Sequence, residues 1–545
     1  MNDATSQIGH VTDVRGNLFI ATLLDADAGY QPVISIGDNS VLVGQIGSYV
    51  SIRQPGVHVL ASVVRTWESG DADRLQRQVE LLPLGEIATD HSFSRGINHY
   101  PISGAEVYVV SEAELQSLYR NNAGFNFSMG HLLHHQDVPV LLNPNPLFGR
   151  HLAILGQTGS GKSWAVASLL QNAVRTMPNA HIVLLDLHGE YCWRDTDNKL
   201  HGAFNSSVMR YVDARDLEIP YWLLTYSELI DLLIDRNDAS ASTQIAYLRE
   251  VLLVLRRQAN EGLNIERLSV DSPVYFSLKD LLLHFKKANE LQTDFGKTKG
   301  PLYGQFDEFL IKLQSKLNDA RYDFLFRPKR RTGSESLEGL LRDFTGLTEP
   351  KRQITVIDLS PVPSDVRPVV AAQLGRLAFE FNYWNPQRKQ FPLQLVCEEA
   401  HAYIPRGDNN KYRGTRESIE RIAKEGRKYG VGLTIVSQRP HELSETVLSQ
   451  CSNFLCLRLT NPDDQQYVRS LVPEGESDLT NTLSALGRGE ALILGEATPL
   501  PTRFQIDKPN PTPNSQDANY HRHWSGAPQE VDVADIVNRW RRQQR

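Results

Sequence analysis

The stretch that determines the fold is residues 150–163, Arg-His-Leu-Ala-Ile-Leu-Gly-Gln-Thr-Gly-Ser-Gly-Lys-Ser, which runs on into Trp-Ala-Val-Ala-Ser-Leu-Leu. Its apolar first half predicts a buried strand, and the segment from Ser163 onward predicts a helix. Between them, residues 156–163 match the pattern G-x-x-x-x-G-K-[ST]. A glycine-rich turn between a strand and a helix N-terminus predicts a loop whose backbone N–H groups bind nucleotide phosphates.

The side chains of this loop have separate predicted roles. Lys162 is expected to reach the β- and γ-phosphates of ATP, which makes it a catalytic as well as a binding residue. Ser163 is expected to offer its hydroxyl to Mg²⁺. The predicted nucleotide-binding residues are Gly156, Gln157, Thr158, Gly159, Ser160, Gly161, Lys162, Ser163 and Trp164.

A second signal is an acidic pair that follows an apolar strand. The segment LQLVC at 393–397 ends in Glu398 and Glu399. In P-loop motors a buried strand delivers its terminal carboxylate beside the phosphates to hold Mg²⁺, and a neighbouring acidic residue orients the attacking water. We therefore assign Glu398 to the metal, through water, and Glu399 to the catalytic base. The alternative is a pair of exposed carboxylates at a strand end.

Another acidic strand end follows the helix of the phosphate loop. The segment LLDLHGEY at 184–191 carries Asp186 and Glu190. These carboxylates either reach the nucleotide site or belong to an ordinary junction between a strand and a turn.

A basic helix and a further strand are predicted by KYRGTRESIERIAKEGRKYGVGLTIVSQRP, which begins at Lys411. An arginine from a neighbouring subunit commonly stabilises the charge that develops on the γ-phosphate, and Arg427 is our candidate, with Arg421 next. The alternative is a solvated helix face of mixed charge. Gln438, at the strand end, suits a γ-phosphate sensor.

The other apolar runs include IVLLDL, ITVIDL and FLCLRL. Continuous apolar strands alternating with helices predict a parallel sheet covered on both faces. The predicted fold class is therefore α/β, with a RecA-like P-loop NTPase core over 96–505. Helical periodicity predicts an inserted subdomain at about 215–345. Short alternating runs predict a β-barrel over 1–95, and 506–545 form a C-terminal extension.

Two basic segments each have two interpretations. The loop after the acidic pair either faces a central pore, where it contacts DNA phosphates and stacks on a base, or is simply solvated. The segment RPKRR at 327–331 either contacts DNA or only brackets the helical insert. The loop residues in question are Arg406, Lys411, Tyr412, Arg413 and Arg416.

Two clusters of potential metal ligands are not expected to bind metal. His131, His134 and His135 have helical spacing, but no cysteine or acidic partner follows at ligand distance. Cys451 and Cys456 lie around FLCLRL and are expected in the core.

Charge and hydropathy limit the class of protein. The net charge of −7 over 545 residues argues against a protein that coats nucleic acid with its whole surface, but allows a basic channel. No apolar run approaches the roughly 20 residues that cross a bilayer, and the first residues lack the pattern of a secretory signal. We expect a soluble, cytoplasmic protein with reduced thiols.

These motifs together resemble the HerA branch of the HerA/FtsK ATPases. The resemblance is carried, in order, by RHLAILGQTGSGKS, LDLHGEY, VCEEAHAYIP, EGRKYGVGL, SQRP and GRGEALILGEA. It spans nearly the whole chain, and the N-terminal barrel would be the family's HAS-barrel. Many P-loop ATPases carry Asp where this chain has Glu398, although acidic pairs of this kind are known among HerA-like proteins.

The resemblance implies a homohexameric ring that encircles duplex DNA in a central channel and shares its ATP sites between subunits. It implies that Arg150 approaches the nucleotide of its own subunit, that Arg427 acts across the interface, and that residues after 500 brace a neighbouring subunit. HerA relatives work with a NurA-type nuclease in end resection, or with a sirtuin-like NADase or another nuclease in phage defence.

Two functions follow from this resemblance. The first is an ATP-driven duplex-DNA translocase or helicase that acts with a nuclease or other effector in DNA-end processing or anti-phage defence. The second is an ATPase scaffold that assembles and activates a partner effector enzyme, with DNA movement secondary. A conjugation-type pump is a third reading, which the absence of predicted membrane segments disfavours.

Overall fold

The computed structural model describes residues 7–16, 18–24, 33–36, 39–70, 76–90, 92–133, 135–195, 197–293, 298–364, 366–407, 413–472, 474–527 and 530–542. Along these ranges a β-barrel is followed by a core sheet, a helical insert within that core and a C-terminal tail. Among the helices described, none combines the length and the apolar character that crossing a membrane requires.

The N-terminal region forms a closed barrel. Its strands are β1 (Gln7–Arg15), β2 (Leu18–Leu23), β3 (Val33–Ile36), β4 (Asn39–Leu42), β5 (Tyr49–Gln54), β6 (Val57–Ser69), β7 (Gln76–Ala88), β8 (Phe93–Arg95) and β9 (Glu106–Val109). The sheet runs β2-β1-β9-β5-β6-β7-β8, and pairing of β2 with β7 closes it, while β3 and β4 form a separate hairpin. Because β9 lies beyond residue 95, the barrel extends past the predicted boundary.

The first part of the core contains strands and helices on both sides of the phosphate loop. Its first elements are α1 (Glu112–Leu118), β10 (Ser128–Leu132), β11 (His135–Leu141), α2 (Pro144–Gly149), β12 (Leu152–Leu155), α3 (Lys162–Thr176), β13 (Ile182–Asp186), β14 (Cys192–Arg194), β15 (Leu200–Gly202) and β16 (Met209–Asp213). Every residue of β12 and β13 is buried, as a strand between two helical layers requires.

Helices fill the range between β16 and the next core strand. They are α4 (Ala214–Leu217), α5 (Tyr226–Leu233), α6 (Ala241–Ala259), α7 (Leu278–Glu290), α8 (Asp307–Leu317), α9 (Asp323–Phe326) and α10 (Ser336–Phe344), with a small hairpin of β17 (Gln292–Thr293) and β18 (Thr298–Lys299). Polar caps define where two of these helices begin: Thr225 and Glu228 form a capping box at α5, and the Ser277 side chain caps α7.

The second half of the core alternates strands and helices again. Its elements are β19 (Ile354–Asp358), α11 (Arg367–Trp384), β20 (Leu393–Cys397), α12 (Arg413–Tyr429), β21 (Val431–Ser437), α13 (Glu445–Leu448), β22 (Asn453–Cys456), α14 (Pro462–Leu471), β23 (Glu490–Gly495) and β24 (Thr502–Ile506).

Among the described residues the core strands form one sheet of eleven, in the order β11-β10-β24-β23-β22-β12-β21-β20-β13-β19-β16. The run from β22 to β16 is parallel, and β23, β24, β10 and β11 extend it with antiparallel pairing. The carboxyl ends of the parallel strands therefore meet at one edge, which is where α/β sheets bind ligands. The predicted α/β fold with a RecA-like core and an N-terminal barrel is confirmed.

The tail begins against its own subunit. The backbone N–H of Asn510 donates to Gln171 Oε1 on α3 at 2.9 Å, and the N–H of Asn514 donates to the carbonyl of Glu190 at 2.8 Å. Residues 502–514 therefore pack on their own subunit, since β24 pairs within its own sheet and the following residues cross α3. That residues after 500 also brace a neighbouring subunit stays a prediction. The helices α15 (Tyr520–Ser525) and α16 (Val533–Arg542) have no buried residue.

Candidate nucleotide-binding site

Three loops meet at the carboxyl edge of the parallel sheet. The phosphate loop follows β12, Glu398 and Glu399 follow β20, and Gln438 follows β21. In this register Leu155 lies beside Ser437, and Cys397 lies beside Ile435. Residues more than 200 positions apart in sequence are thus brought to one place by the order of the strands.

The phosphate loop has the backbone that a phosphate cradle requires. Gly161 has φ of +106° and caps α3 without any side-chain hydrogen bond, so the first N–H groups of that helix remain available to an anion. A Cβ atom at Gly156 would lie only 2.7 Å from Ser160 Oγ. The loop is therefore restricted to glycine at positions where it turns and packs, and its donors fit a polyphosphate.

Lys162 is buried between the phosphate loop and the acidic pair. Its Nζ donates to the carbonyl of Gln157 at 3.3 Å and lies 3.9 Å from Glu399 Oε1. Burial lowers the pKa of this ammonium group, while the nearby carboxylates act in the opposite direction. A polyphosphate would supply the additional negative charge that favours the charged form.

Glu398 is a buried carboxylate with one unsatisfied oxygen. Tyr191 donates its hydroxyl to Oε1 at 2.8 Å, whereas Oε2 has no hydrogen-bond partner among the described residues. Burial raises the pKa of Glu398 well above its usual range, and the charges of Asp186 and Glu190 add to that effect. Because a divalent cation reverses this penalty, the orphaned oxygen fits the predicted role beside Mg²⁺.

Glu399 has a backbone conformation that few non-glycine residues adopt, with φ of +45°. Its Oε1 faces Lys162, and its Oε2 lies 3.3 Å from His401 Nδ1. Burial lowers the pKa of His401, whose ring also contacts the Ser437 hydroxyl at 3.2 Å. The left-handed turn thus brings the carboxylate beside the phosphate loop, where a base acting on water must lie.

The structure shows different contacts for Asp186 and Glu190, whose roles could not be distinguished from the sequence. Asp186 accepts backbone N–H groups from Gly189 and Tyr191, at 2.8 and 2.9 Å, and so fixes the turn after β13. Glu190 instead reaches the site, where it accepts the Ser163 hydroxyl at 2.5 Å. Asp186 therefore stabilises the turn, whereas Glu190 contacts Ser163, the residue predicted to bind Mg²⁺.

The remaining contacts of the phosphate loop involve Gln157, Thr158 and Trp164. The Thr158 hydroxyl donates to Gln438 Oε1, which places the predicted sensor directly on the phosphate loop. Gln157 Oε1 accepts the hydroxyl of Thr460 at 2.5 Å. Trp164 lies on α3 immediately after Ser163, with Arg488 and Lys508 close to its ring.

The predicted arginines lie away from this edge. Arg427 is exposed near the end of α12 and lines a cavity with Gly149, at the edge where the parallel strands begin. Arg150 precedes β12 and pairs with Glu496 at the same edge. The expectation that Arg150 approaches the nucleotide of its own subunit is therefore wrong, because the whole of β12 separates it from the phosphate loop. Arg421 is bound within its own chain by Glu380 at 2.8 Å.

The basic segments proposed for DNA contact are held by neighbours in the same chain. Arg406 pairs with Glu445, Arg413 pairs with Glu417, and Arg416 lies 3.8 Å from Glu420. Lys411 and Tyr412 lie outside the described residues. In the 327–331 segment the Glu218 carboxylate accepts the backbone N–H groups of Lys329, Arg330 and Arg331. The backbone of that segment is thus tied to Glu218 at the start of the helical insert, and contact of its side chains with DNA stays a prediction.

The histidine and cysteine clusters that were not expected to bind metal lie on strands of the core sheet or next to them. His131 and His135 lie on the antiparallel strands β10 and β11, and His131 contacts Asp507 at 3.0 Å; His134 lies outside the described residues. Cys451 and Cys456 are buried free thiols. Over the described ranges, no cluster of His, Cys, Asp and Glu side chains could hold a metal ion by itself.

Comparison with known proteins shows extensive similarity. The family model "Helicase HerA, central domain" matches residues 127–378, and "Helicase HerA-like C-terminal" matches 392–505. The DNA double-strand break repair helicase HerA of Saccharolobus solfataricus is 30% identical over 419 residues, which cover 75% of this chain and 73% of the relative. Its namesake from Sulfolobus acidocaldarius is 28% identical over 446 residues, which cover 81% and 80%.

Among solved structures, VirB4 of Thermoanaerobacter pseudethanolicus aligns with a TM-score of 0.45 and 18% sequence identity. The alignment covers 70% of this chain and 96% of that one.

Proposed function

Because this chain belongs to the HerA helicase family, we propose that it is an ATP-driven hexameric translocase on duplex DNA that acts with a nuclease or another effector enzyme. The observation that carries this proposal is the convergence of the phosphate loop, Glu398, Glu399 and Gln438 at one edge of the sheet. Relatives named as DNA double-strand break repair helicases support a role in DNA-end processing.

The chemistry at the site is ATP hydrolysis. Bound Mg²⁺ would supply the positive charge that polarises the γ-phosphate. Ser163 and Glu398 would hold the metal and its water, with Glu190 orienting the serine hydroxyl that it already accepts. Glu399 would take the proton of the attacking water, and Lys162 would balance charge on the β- and γ-phosphates.

A ring is favoured by the separation of the arginines from their own site. Arg427 has no ion-pair partner within the described ranges, and it lies at the edge opposite the phosphate loop. If each subunit presents this edge to the nucleotide of the next, Arg427 completes that neighbouring site. In such a ring Arg150, which lies at the same edge, would also be at the interface and not in its own site.

The effector is a nuclease of the NurA type, or a defence effector such as a sirtuin-like NADase or another nuclease. DNA then passes through the central channel while the barrel remains available for contact with the effector. The alternative function is a scaffold that assembles and activates the effector with little DNA movement. The following experiment distinguishes the two functions.

The test measures ATP hydrolysis by the purified protein with and without duplex DNA, and displacement of a third strand from the duplex as evidence of movement. We expect DNA to increase turnover and ATP to drive displacement. Lys162→Ala should abolish hydrolysis, and Glu399→Gln should abolish hydrolysis while ATP remains bound. Lys279→Ala, an exposed change on α7, is the control and should match the unmodified protein.

The outcome decides between the two functions. A protein that neither binds nor cleaves ATP, with or without DNA, would overturn both. The scaffold would instead be favoured if duplex DNA did not change the rate of ATP hydrolysis and the Lys162→Ala protein still activated its effector.

A further inference from the structure

Two cations lie against the ring of Trp164. The guanidinium of Arg488 lies 5.7 Å from the ring centre, and Lys508 Nζ lies 5.5 Å from it. Within the described part of the chain neither cation has a carboxylate partner, whereas nearby Arg503 pairs with Glu490 at 2.7 Å. Like charges held around one ring repel each other, so this cluster favours an anion.

The indole of Trp164 is also incompletely satisfied. Its Nε1 atom is buried and has no hydrogen-bond partner among the described residues. A buried donor without an acceptor is unfavourable unless a ligand or water provides one. The cations and the unpaired N–H therefore both indicate a negatively charged ligand with acceptor oxygens.

Arg488 is fixed to the phosphate loop by its neighbours. The N–H of Gly489 donates to the carbonyl of Ser160 at 3.1 Å, and a Cβ atom at Gly161 would lie 3.4 Å from that same nitrogen. The N–H of Gly487 donates to Glu490 Oε2 at 3.0 Å and holds the turn from the other side. The guanidinium is thus carried by a turn that packs directly on the loop.

Lys508 is held from the opposite side by the start of the tail. The N–H of Asp507 donates to the carbonyl of Met129 at 2.9 Å, and the N–H of Asn510 donates to Gln171 Oε1 at 2.9 Å. Lys508 lies between these two anchors, above α3. Its position beside Trp164 therefore depends on the tail packing against its own subunit.

The order of residues in the loop identifies which phosphate lies here. In a P-loop the lysine reaches the β- and γ-phosphates, the following hydroxyl reaches Mg²⁺, and backbone N–H groups contact the α- and β-phosphates. Trp164 comes next along α3, after the residues expected at the β- and γ-phosphates and Mg²⁺, which leaves the α-phosphate for its surroundings. We propose that Arg488 and Lys508 bind the α-phosphate of the nucleotide, with the indole N–H of Trp164 as an additional donor.

This proposal rests on the proposed ATP-binding function and adds a prediction of its own. Cations at the α-phosphate contact ATP and ADP equally, because both nucleotides have that phosphate. Lys162 acts mainly on the β- and γ-phosphates. ADP should therefore be held after hydrolysis by the same two side chains.

The test measures equilibrium binding of ADP and of a non-hydrolysable ATP analogue by calorimetry. Arg488→Met and Lys508→Met keep the apolar stem beside Trp164 but remove the charge. Each variant should lower the affinity for ADP and for the ATP analogue by the same factor, about tenfold. Arg488→Lys should retain most of the affinity. Arg257→Met, an exposed change on α6, should leave binding unchanged.

Intrinsic fluorescence gives an independent measurement. Nucleotide addition should change tryptophan emission in the unmodified protein, and Trp164→Phe should remove that change. Methionine variants that bind both nucleotides like the unmodified protein would overturn the α-phosphate assignment. An unmodified protein that binds neither nucleotide would instead overturn the proposed function.

Discussion

Ser163 and Glu190 lie 27 positions apart in the sequence and share a 2.5 Å hydrogen bond, in which the serine hydroxyl donates to Glu190 Oε2. Ser163 is the second residue of the helix that follows the phosphate loop, and Glu190 lies in the turn that Asp186 fixes. The contact joins the predicted metal ligand to a carboxylate that the sequence alone could not assign.

We expect Glu190→Gln to raise the Mg²⁺ concentration needed for ATP hydrolysis, because the neutral amide accepts the Ser163 hydroxyl more weakly and lacks the charge that attracts metal-bound water. Outer partners of metal ligands typically contribute about 10- to 100-fold in metal affinity or activity. A Mg²⁺ titration of the hydrolysis rate measures this shift. Glu338→Gln, an exposed ion-pair change on α10, is the control; equal Mg²⁺ dependence in both variants would exclude a metal role for Glu190.

Tyr191→Phe should impair both stability and hydrolysis. The change removes the hydrogen bond to Glu398 Oε1 and leaves a fully buried carboxylate unsatisfied, at a cost of about 1–3 kcal/mol in the free energy of unfolding. Denaturant unfolding and the ATPase rate are measured together.

The control is Tyr211→Phe, because Tyr211 donates to Asp358 at 2.9 Å outside the site. It should lose stability without a comparable loss of the hydrolysis rate measured on the folded protein. Unchanged hydrolysis in Tyr191→Phe would show that this tyrosine does not support the metal site.

Subunits carrying Arg427→Ala and subunits carrying Glu399→Gln should each be inactive alone and partly active when mixed. An interface is active when one subunit supplies Glu399 and the next supplies Arg427. With equal amounts of the two variants, each of these conditions is met at half of the positions, so about a quarter of the sites are restored. The ATPase rate of the mixture is compared with that of each variant alone.

Lys428→Ala, an exposed neighbour on the same helix, replaces Arg427→Ala in the control mixture and should be active by itself. Intact rings with no recovery on mixing would contradict a role for Arg427 across the interface.

Arg256→Lys should destabilise the helical insert. Arg256 is 1% exposed, and its guanidinium donates to the carbonyls of Val270, Ser272, Trp222 and Leu224. An ammonium group cannot reproduce this planar fork, so we expect a loss of about 2–3 kcal/mol in the free energy of unfolding. Arg257→Lys is the exposed control on the same helix; equal denaturation midpoints in the two variants would refute the interpretation.

Deleting 516–545 should weaken assembly without unfolding the subunit. The deletion removes α15 and α16 but retains 507–514, which contact α3 and Glu190. Exposed apolar groups on the deleted part, including Trp524 and Trp540, are expected to lie on a neighbouring subunit. Native mass spectrometry of the two forms compares their oligomeric states; unchanged assembly would contradict the proposed bracing.

Local patterns alone were sufficient for much of the site. Residues 156–163 form a motif whose meaning depends on backbone geometry within eight positions, so the strand, loop and helix could be predicted together. Glu398 and Glu399 were also identified from a strand end. The barrel was visible in its short strands, but β9 was assigned to the following segment because pairing of β9 with β1 and β5 is a long-range contact.

What the sequence by itself determined was the chemistry carried by contiguous residues: a phosphate loop, an acidic strand end and an α/β alternation. The tertiary structure alone decided which distant side chains meet. Glu190 contacts Ser163, whereas Asp186 accepts backbone N–H groups of its own turn. Arg150 lies at the edge opposite the phosphate loop. Arg488 and Lys508 both lie beside the ring of Trp164. The reason is that strand order sets which loops are neighbours, and that order depends on burial and pairing across the whole sheet.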